Sequence, residues 1–200
     1  MKSIAVPLMP EMTILGEEDT QHARLEADLL SRAARGEGRA FEALIRPHLP
    51  MLFRVAGRLA GSASLAEDAV QDTLEYAYRH LHRYRAGTSF RAWLATIAVK
   101  KAAGTARSER RRARRHEKID PLPPSIAGDD KLIRAEHIAR IRAILERMPA
   151  TRRQAALMRL DAGLSYAEIA QALDTTAGSA RVLVHLALKE IKKEMAGSGA

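Results

Sequence analysis

Apolar residues recur at three- and four-residue spacing along most of the chain and never settle into strict alternation, a pattern that predicts an all-α fold. Leu25, Leu29, Leu30 and Ala33 mark a first helical stripe, ended by the turn from Gly36 to Gly38. Phe41, Leu44, Ile45, Leu49, Leu52, Val55, Ala56 and Leu59 mark a second that runs to Gly61, with Pro47 and Pro50 as kink points. Ser64 followed three residues later by Glu67 reads as a capping box opening a third helix, whose periodic positions run from Ala66 to Leu81. After a loop at 85–88, Ser89 caps a fourth helix with Phe90, Trp93, Leu94, Ile97 and Ala98 on its inner face, and that helix runs on into a block of arginines.

The period fails at 117–130, where three prolines and a glycine fall among polar residues, and a flexible linker is expected there. Beyond it Ile138, Ile141 and Leu145 form one stripe and Ala155, Ala156, Leu157 and Leu160 another, separated by Pro149. Asp161 to Leu164 makes a turn, Ser165 with Glu168 forms a capping box for a short helix to Leu173, and Asp174 to Thr176 opens a last helix from Ala177 to about Met195. Two helices joined by a short turn, the second long and beginning with small polar residues, form a helix-turn-helix pattern. The expected organisation is two helical domains: an N-terminal extension at 1–22 whose order the sequence leaves open, a helical domain at 23–116, the linker at 117–130, and a helix-turn-helix domain at 131–197.

Composition narrows the chemistry. The 200 residues include no cysteine, which removes disulfides, thiol catalysis and Cys-ligated zinc together and fits a reducing compartment such as the cytoplasm. No Gly-rich phosphate loop, His-Glu-x-x-His or Gly-x-Ser-x-Gly motif is present, so no enzyme activity and no cofactor is expected. His80 and His82 are two apart on a helix and face different directions, and the other histidines are scattered, so no metal site is expected either. Charges interrupt every apolar run before it reaches membrane-spanning length, and no membrane insertion is expected.

The formal net charge is +9, which suggests a polyanionic partner, and its distribution says more than its sum. Residues 107–118 hold seven Arg and Lys against two Glu and so carry +5 of it. On the third helix the opposite holds: Glu67, Asp68, Gln71, Asp72 and Glu75 fall at spacings of three and four and align as an anionic face. Carboxylates so placed repel one another slightly, so the face is either solvated or covered by a cationic partner. From Tyr84 to Lys101 aromatics mix with cations, the combination that lets bases stack on rings while Arg and Lys neutralise phosphates. Phe90, Trp93 and Ile97 also fit a core stripe, and both readings stay open at this point.

Ala66 to Arg85, AEDAVQDTLEYAYRHLHRYR, resembles the core-binding segment of sigma region two, and Phe90 to Ala98, FRAWLATIA, resembles the adjoining promoter-melting segment. Leu164 to Leu173, LSYAEIAQAL, and Gly178 to Arg181, GSAR, resemble the helix-turn-helix of sigma region four. The resemblance spans residues 24–195 and is to the extracytoplasmic-function sigma factors.

That resemblance implies partners and roles. The core-polymerase-binding residues would be Glu67, Asp68, Gln71, Asp72 and Glu75, docking on a basic coiled coil of the polymerase largest subunit. Residues touching the minus-ten element of promoter DNA would be Tyr84, Arg85, Thr88, Ser89, Phe90, Trp93, Lys100, Lys101 and Arg107, with bases flipped out of the stack to be read. At the minus-thirty-five element Thr176, Ser179, Arg181, His185 and Lys189 would face the major groove. An anti-sigma factor is a further implied partner. Two departures stand out: Val99-Lys100 where Arg-Asn is typical, and Ser179-Ala-Arg-Val-Leu183 where Thr-Val-Lys-Ser-Arg is common. The last helix thereby loses a cation and gains Val182, Leu183 and Leu186. An unusual promoter preference, a surface covered by an anti-sigma partner or by the first domain, and reduced DNA binding are the three readings this leaves. A sigma-like mimic that titrates an anti-sigma factor and a dimeric helix-turn-helix repressor are the alternatives at the level of function.

Overall fold

In the computed structural model residues 11–115 and 129–197 are described, and they form nine α-helices with no strand among them. Of the expected extension at 1–22, residues 11–22 belong to a helix, while 1–10 lie outside the described residues, as do 116–128, which hold most of the expected linker. The chain divides into two units between Pro47 and His48.

The first unit contains α1 (Glu11–Ala34) and α2 (Gly38–Ile45), packed on each other. Gly36 ends α1 at φ +92°, a left-handed conformation that glycine adopts without steric cost, and its amide donates back to the Ala33 carbonyl at 3.0 Å. The expected stripe holds in part: Ala33 is buried and Leu29 and Leu30 half-buried, but Leu25 is 57% exposed and belongs to the outer face.

The second unit begins with α3 (Leu49–Leu59), α4 (Ala63–Arg79) and α5 (Phe90–Arg115), which pack against one another. The single kinked helix expected from Phe41 to Leu59 is instead two helices separated by a 3-10 turn at Arg46–His48. Proline has no N–H and its ring clashes with the preceding turn, so Pro47 stops α2; Pro50 sits in the first turn of α3, where a missing N–H costs nothing. A second correction concerns the start of α4. Ser62, in extended conformation, accepts from the Leu65 amide at 3.3 Å and caps the helix, whereas Ser64 lies inside it. Two serines compete, and the earlier one gains the helix two further residues of backbone hydrogen bonding. Leu52, Val55, Ala69, Val70, Leu94, Ala95 and Ala98 fill the centre of the three helices, each 4% exposed or less.

The remainder of this unit is α6 (Asp129–Arg147), α7 (Ala150–Leu160), α8 (Tyr166–Ala172) and α9 (Ala177–Ala196), with α6, α7 and α8 each packed on α9. Ser165 and Glu168 form the expected capping box, and Thr176 caps α9 by accepting from the Ser179 amide at 3.1 Å. α8 and α9 are joined through Asp174 at φ +52°, a left-handed conformation that Asp tolerates better than most residues. α7 and α8 also pack on α5, and α6 on α3. The Asp161 carboxylate, 4% exposed, receives Arg58 through both Nε and Nη2, the shortest contact being 2.8 Å, and Arg54 Nε donates to the Asp161 carbonyl at 3.2 Å. Gly163 stands at φ +67°, and a Cβ there would meet Arg91 Nη2 at 3.1 Å, so both the backbone and its neighbour on α5 call for glycine. An Arg110–Glu146 ion pair joins α5 to α6.

Candidate nucleic-acid interface

The anionic face of α4 is solvent-exposed: Glu67, Asp68, Gln71, Asp72 and Glu75 all point outward, while Ala66, Ala69, Val70, Thr73 and Ala77 turn into the core. Asp68, Gln71, Asp72 and Glu75 form one wall of a groove of about 560 Å³, and the C-terminal half of α5 supplies the other, including Glu109. Glu109 counted in the sequence only as an interruption of the arginine block, and here it adds a carboxylate to this groove. Arg112 also lines the groove, and Glu75 pairs with Arg79 at 2.8 Å. The groove thus gathers carboxylates from two helices, with Arg112 beside them.

The loop between α4 and α5 is held by its own side chains. Tyr84 Oη donates to the Thr88 carbonyl, Thr88 Oγ1 donates to the Arg85 carbonyl at 2.8 Å, and Ser89 Oγ accepts from the Ala92 amide at 3.2 Å, the cap expected for α5. Behind it lies an aromatic cluster: Trp93 stacks on Phe90 with centroids 5.7 Å apart, and Tyr84 meets both edge-on at 5.3 and 5.7 Å. Phe90 is 1% exposed, so it cannot itself touch a base and forms the floor on which Trp93 rests. Trp93 is half-buried, and one side of it lines a cleft of about 240 Å³ with Arg83, Arg85, Thr88, Ser89 and Thr96. Its other side lines a second cleft, about 260 Å³, with Tyr76, Lys100 and Lys101. Lys101 Nζ lies 5.2 Å from the Tyr76 ring centre, and Tyr76 stacks on His80 at 4.0 Å. Tyr76 was absent from the sequence-predicted set because it closes α4, and only the packing of α4 on α5 brings it beside Trp93. Arg107 is not part of this cluster: it lies fourteen residues beyond Trp93 on α5, about 21 Å along the axis, and acts electrostatically on Arg153.

α8 reaches the first cleft, since Gln171 and Ala172 line it. Partial burial pushes the Glu168 carboxyl up, but hydrogen bonds from Ser89 and Ser165 and the nearby Arg91 outweigh it and hold the group below the usual carboxylate range. Glu168, the acidic partner in the capping box of α8, is thus tied to Ser89, the cap of α5.

On α9, Thr176, Ser179, Arg181, His185 and Lys189 are all exposed. Arg181 and Arg159 lie 5.2 and 5.0 Å from the centre of the Tyr166 ring, a cation–π arrangement that orders both guanidinium groups. Ala180, Val184 and Ala187 turn into the core, while Val182, Leu186 and Leu188 are 56%, 38% and 41% exposed. Leu183 is half-buried, so among the described residues the uncovered apolar surplus of this helix is Val182, Leu186 and Leu188. Among the described residues, no helix is long and apolar enough to cross a membrane.

Residues 44–115 match the Sigma-70 region 2 family model and residues 138–191 the Sigma-70, region 4 model. The first match contains the α4 face and the aromatic loop, the second the capping box and most of α9. The ECF RNA polymerase sigma factor SigD of Mycobacterium tuberculosis (strain ATCC 25618 / H37Rv) is 30% identical over 206 residues, covering 100% of this chain and 94% of the relative. The RNA polymerase sigma-H factor of Pseudomonas aeruginosa is 26% identical over 180 residues, covering 85% and 93%. Two solved structures share the fold: CnrH in complex with the cytosolic domain of CnrY, at TM-score 0.65 and 21% identity over 88% of this chain and 99% of that one, and the sigma factor RpoE in complex with the anti-sigma factor NepR from Bartonella quintana, at 0.56 and 23% over 79% and 98%.

Proposed function

The chain belongs to the sigma-70 family as an extracytoplasmic-function RNA polymerase sigma factor, and on that premise we propose how its surfaces divide the work. It binds core RNA polymerase and directs promoter recognition, DNA melting and transcription initiation. The acidic face of α4, with Gln71 and Asp72 at its centre, docks on a basic surface of the largest subunit. The loop at 84–89 with Arg85, Thr88 and Ser89 reads unstacked bases of the minus-ten element, Trp93 supplies the stacking surface, and Lys100 and Lys101 neutralise the backbone. The N-terminal half of α9 enters the major groove upstream. The polymerase performs the chemistry, in the cytoplasm, and this chain contributes no catalytic group and holds no cofactor.

The observation that carries this reading is the half-buried Trp93 on its floor of Phe90, beside a self-bonded loop and two lysines. A base stacked on an aromatic side chain gains about 1–3 kcal/mol, against a mean of about 1.4 kcal/mol for each base-pair step of DNA stacking. One trapped base therefore offsets roughly one opened step, and the enclosing cleft adds selectivity by admitting only a base that has left the duplex. An anti-sigma partner is part of the proposal, supported by the fold shared with RpoE, which is solved with the anti-sigma factor NepR.

Run-off transcription with purified core polymerase, on upstream DNA from the protein's own gene, tests the assignment by comparing wild type with the Gln71→Ala/Asp72→Ala variant. Discrete transcripts that disappear in the variant are expected. Absence of any binding to core would overturn the reading, and a dimer on palindromic DNA would replace it with a repressor.

A further inference from the structure

α9 carries an apolar pair on the face turned farthest from the core. Ala180, Val184 and Ala187 define the inward direction of the helix. At 100° per residue, Val182 and Leu186 fall on roughly the opposite side, one turn apart, with Lys189 and Lys193 on the same face and His185 beside it. The two acids of α9 are drawn off laterally: Glu190 pairs with Arg152 on α7 at 2.8 Å, and Glu194 with Arg147 on α6 at 3.0 Å. What faces outward is therefore two aliphatic side chains framed by cations, preceded by the Thr176 cap and Arg181. An aliphatic pair alone would suit a protein surface. Framed by cations along a capped helix, it suits a polyanion that presents methyl groups, and duplex DNA does so in the major groove through the C5-methyl of thymine.

We propose that Val182 and Leu186 read thymine methyl groups in the upstream promoter element. The inference rests on α9 being the helix that enters the major groove. Side chains four apart on a helix are separated by about 6 Å along its axis, and successive base pairs by about 3.4 Å, so the pair spans methyls one or two base pairs apart. Arg181 supplies hydrogen bonds to a neighbouring base edge or phosphate, and Lys189 and Lys193 neutralise the flanking backbone. The chain thus replaces part of a hydrogen-bonding readout by an apolar one.

Deoxyuridine in place of thymidine removes the methyl and keeps every base-pair hydrogen bond. The experiment selects upstream duplexes from a randomised library with the full chain bound to core polymerase, then replaces each thymidine of the preferred element in turn. Burying one methyl corresponds to about a fourfold change in affinity. Wild type is expected to lose about fourfold at one or two thymidines, Val182→Ala or Leu186→Ala to show no loss at the same position, and the salt dependence to stay the same in all three. Tight selection of an element in which deoxyuridine has no effect, or an effect that persists in both variants, overturns the methyl readout and leaves the proposed function standing. Failure to select any upstream duplex while core binding is intact overturns the role of α9 itself, and the methyl readout with it. Both substitutions are at exposed positions, and circular dichroism of the variants separates a binding defect from a folding one.

Discussion

His48 lies where a positive charge is disfavoured from two directions. Burial first, and the Arg91 guanidinium second, hold its imidazole below the ordinary value, and its ring rests edge-on against Phe90 at 5.6 Å. The folded chain therefore takes up a proton at lower pH than the unfolded chain, whose histidine titrates near 6.5. Stability contributed by keeping His48 neutral is fully present above that value and is lost as the pH falls from it toward the depressed folded value, with a slope of up to about 1.4 kcal/mol per pH unit. Urea unfolding of wild type and His48→Gln between pH 7.5 and roughly 5 checks this. The wild-type midpoint should fall more steeply below pH 6.5, and parallel curves would show that His48 carries no such linkage. Because Phe90 is also the floor beneath Trp93, the same titration bears on the loop proposed to read DNA.

At the scale of elements, the two expected capping boxes show what a sequence rule can and cannot decide. Ser165 and Glu168 form one as expected, since no second serine or threonine competes immediately upstream. Before α4 the rule selects Ser64 because Glu67 follows it, but Ser62 lies two residues earlier in an extended conformation and takes the cap. Ser62→Ala should lower stability by about 1 kcal/mol, while Ser64→Ala should change it by no more than a few tenths; urea midpoints of the two variants decide it, and equal losses would return the cap to Ser64. The consequence reaches function, because a frayed first turn of α4 displaces Glu67 and Asp68 from the row that includes Gln71. Helix identity, the acidic row and the aromatic loop were legible because each is local and periodic. Tyr76 beside Trp93, Glu168 on Ser89 and Arg58 on Asp161 were not, since each joins residues that only tertiary packing brings together, the last across 103 residues.

For the whole of the second unit, that last pair bears on whether the cleft proposed to read DNA is accessible. Gln171 and Ala172 line the cleft beside Trp93, and the turn from Asp161 to Leu164 that precedes α8 is held to α3 by Arg58 and Arg54. Removing Arg58 leaves a carboxylate that is 4% exposed without its bidentate partner, an arrangement that favours release of α7 and α8 into water. When a binding-competent form is a minor population, apparent affinity scales with its fraction. Weakening the contact by about 1–2 kcal/mol should therefore raise the affinity of the free chain for a single-stranded minus-ten oligonucleotide by roughly 5- to 30-fold. Trp93 is the only tryptophan in the sequence, so its fluorescence reports a base stacking on it without any label. Arg58→Met is expected to be quenched at lower oligonucleotide concentration than wild type, and Lys100→Ala/Lys101→Ala at higher. Equal titrations for wild type and Arg58→Met would mean that α8 does not limit access, and the selectivity of the cleft would then rest on the loop at 84–89 alone.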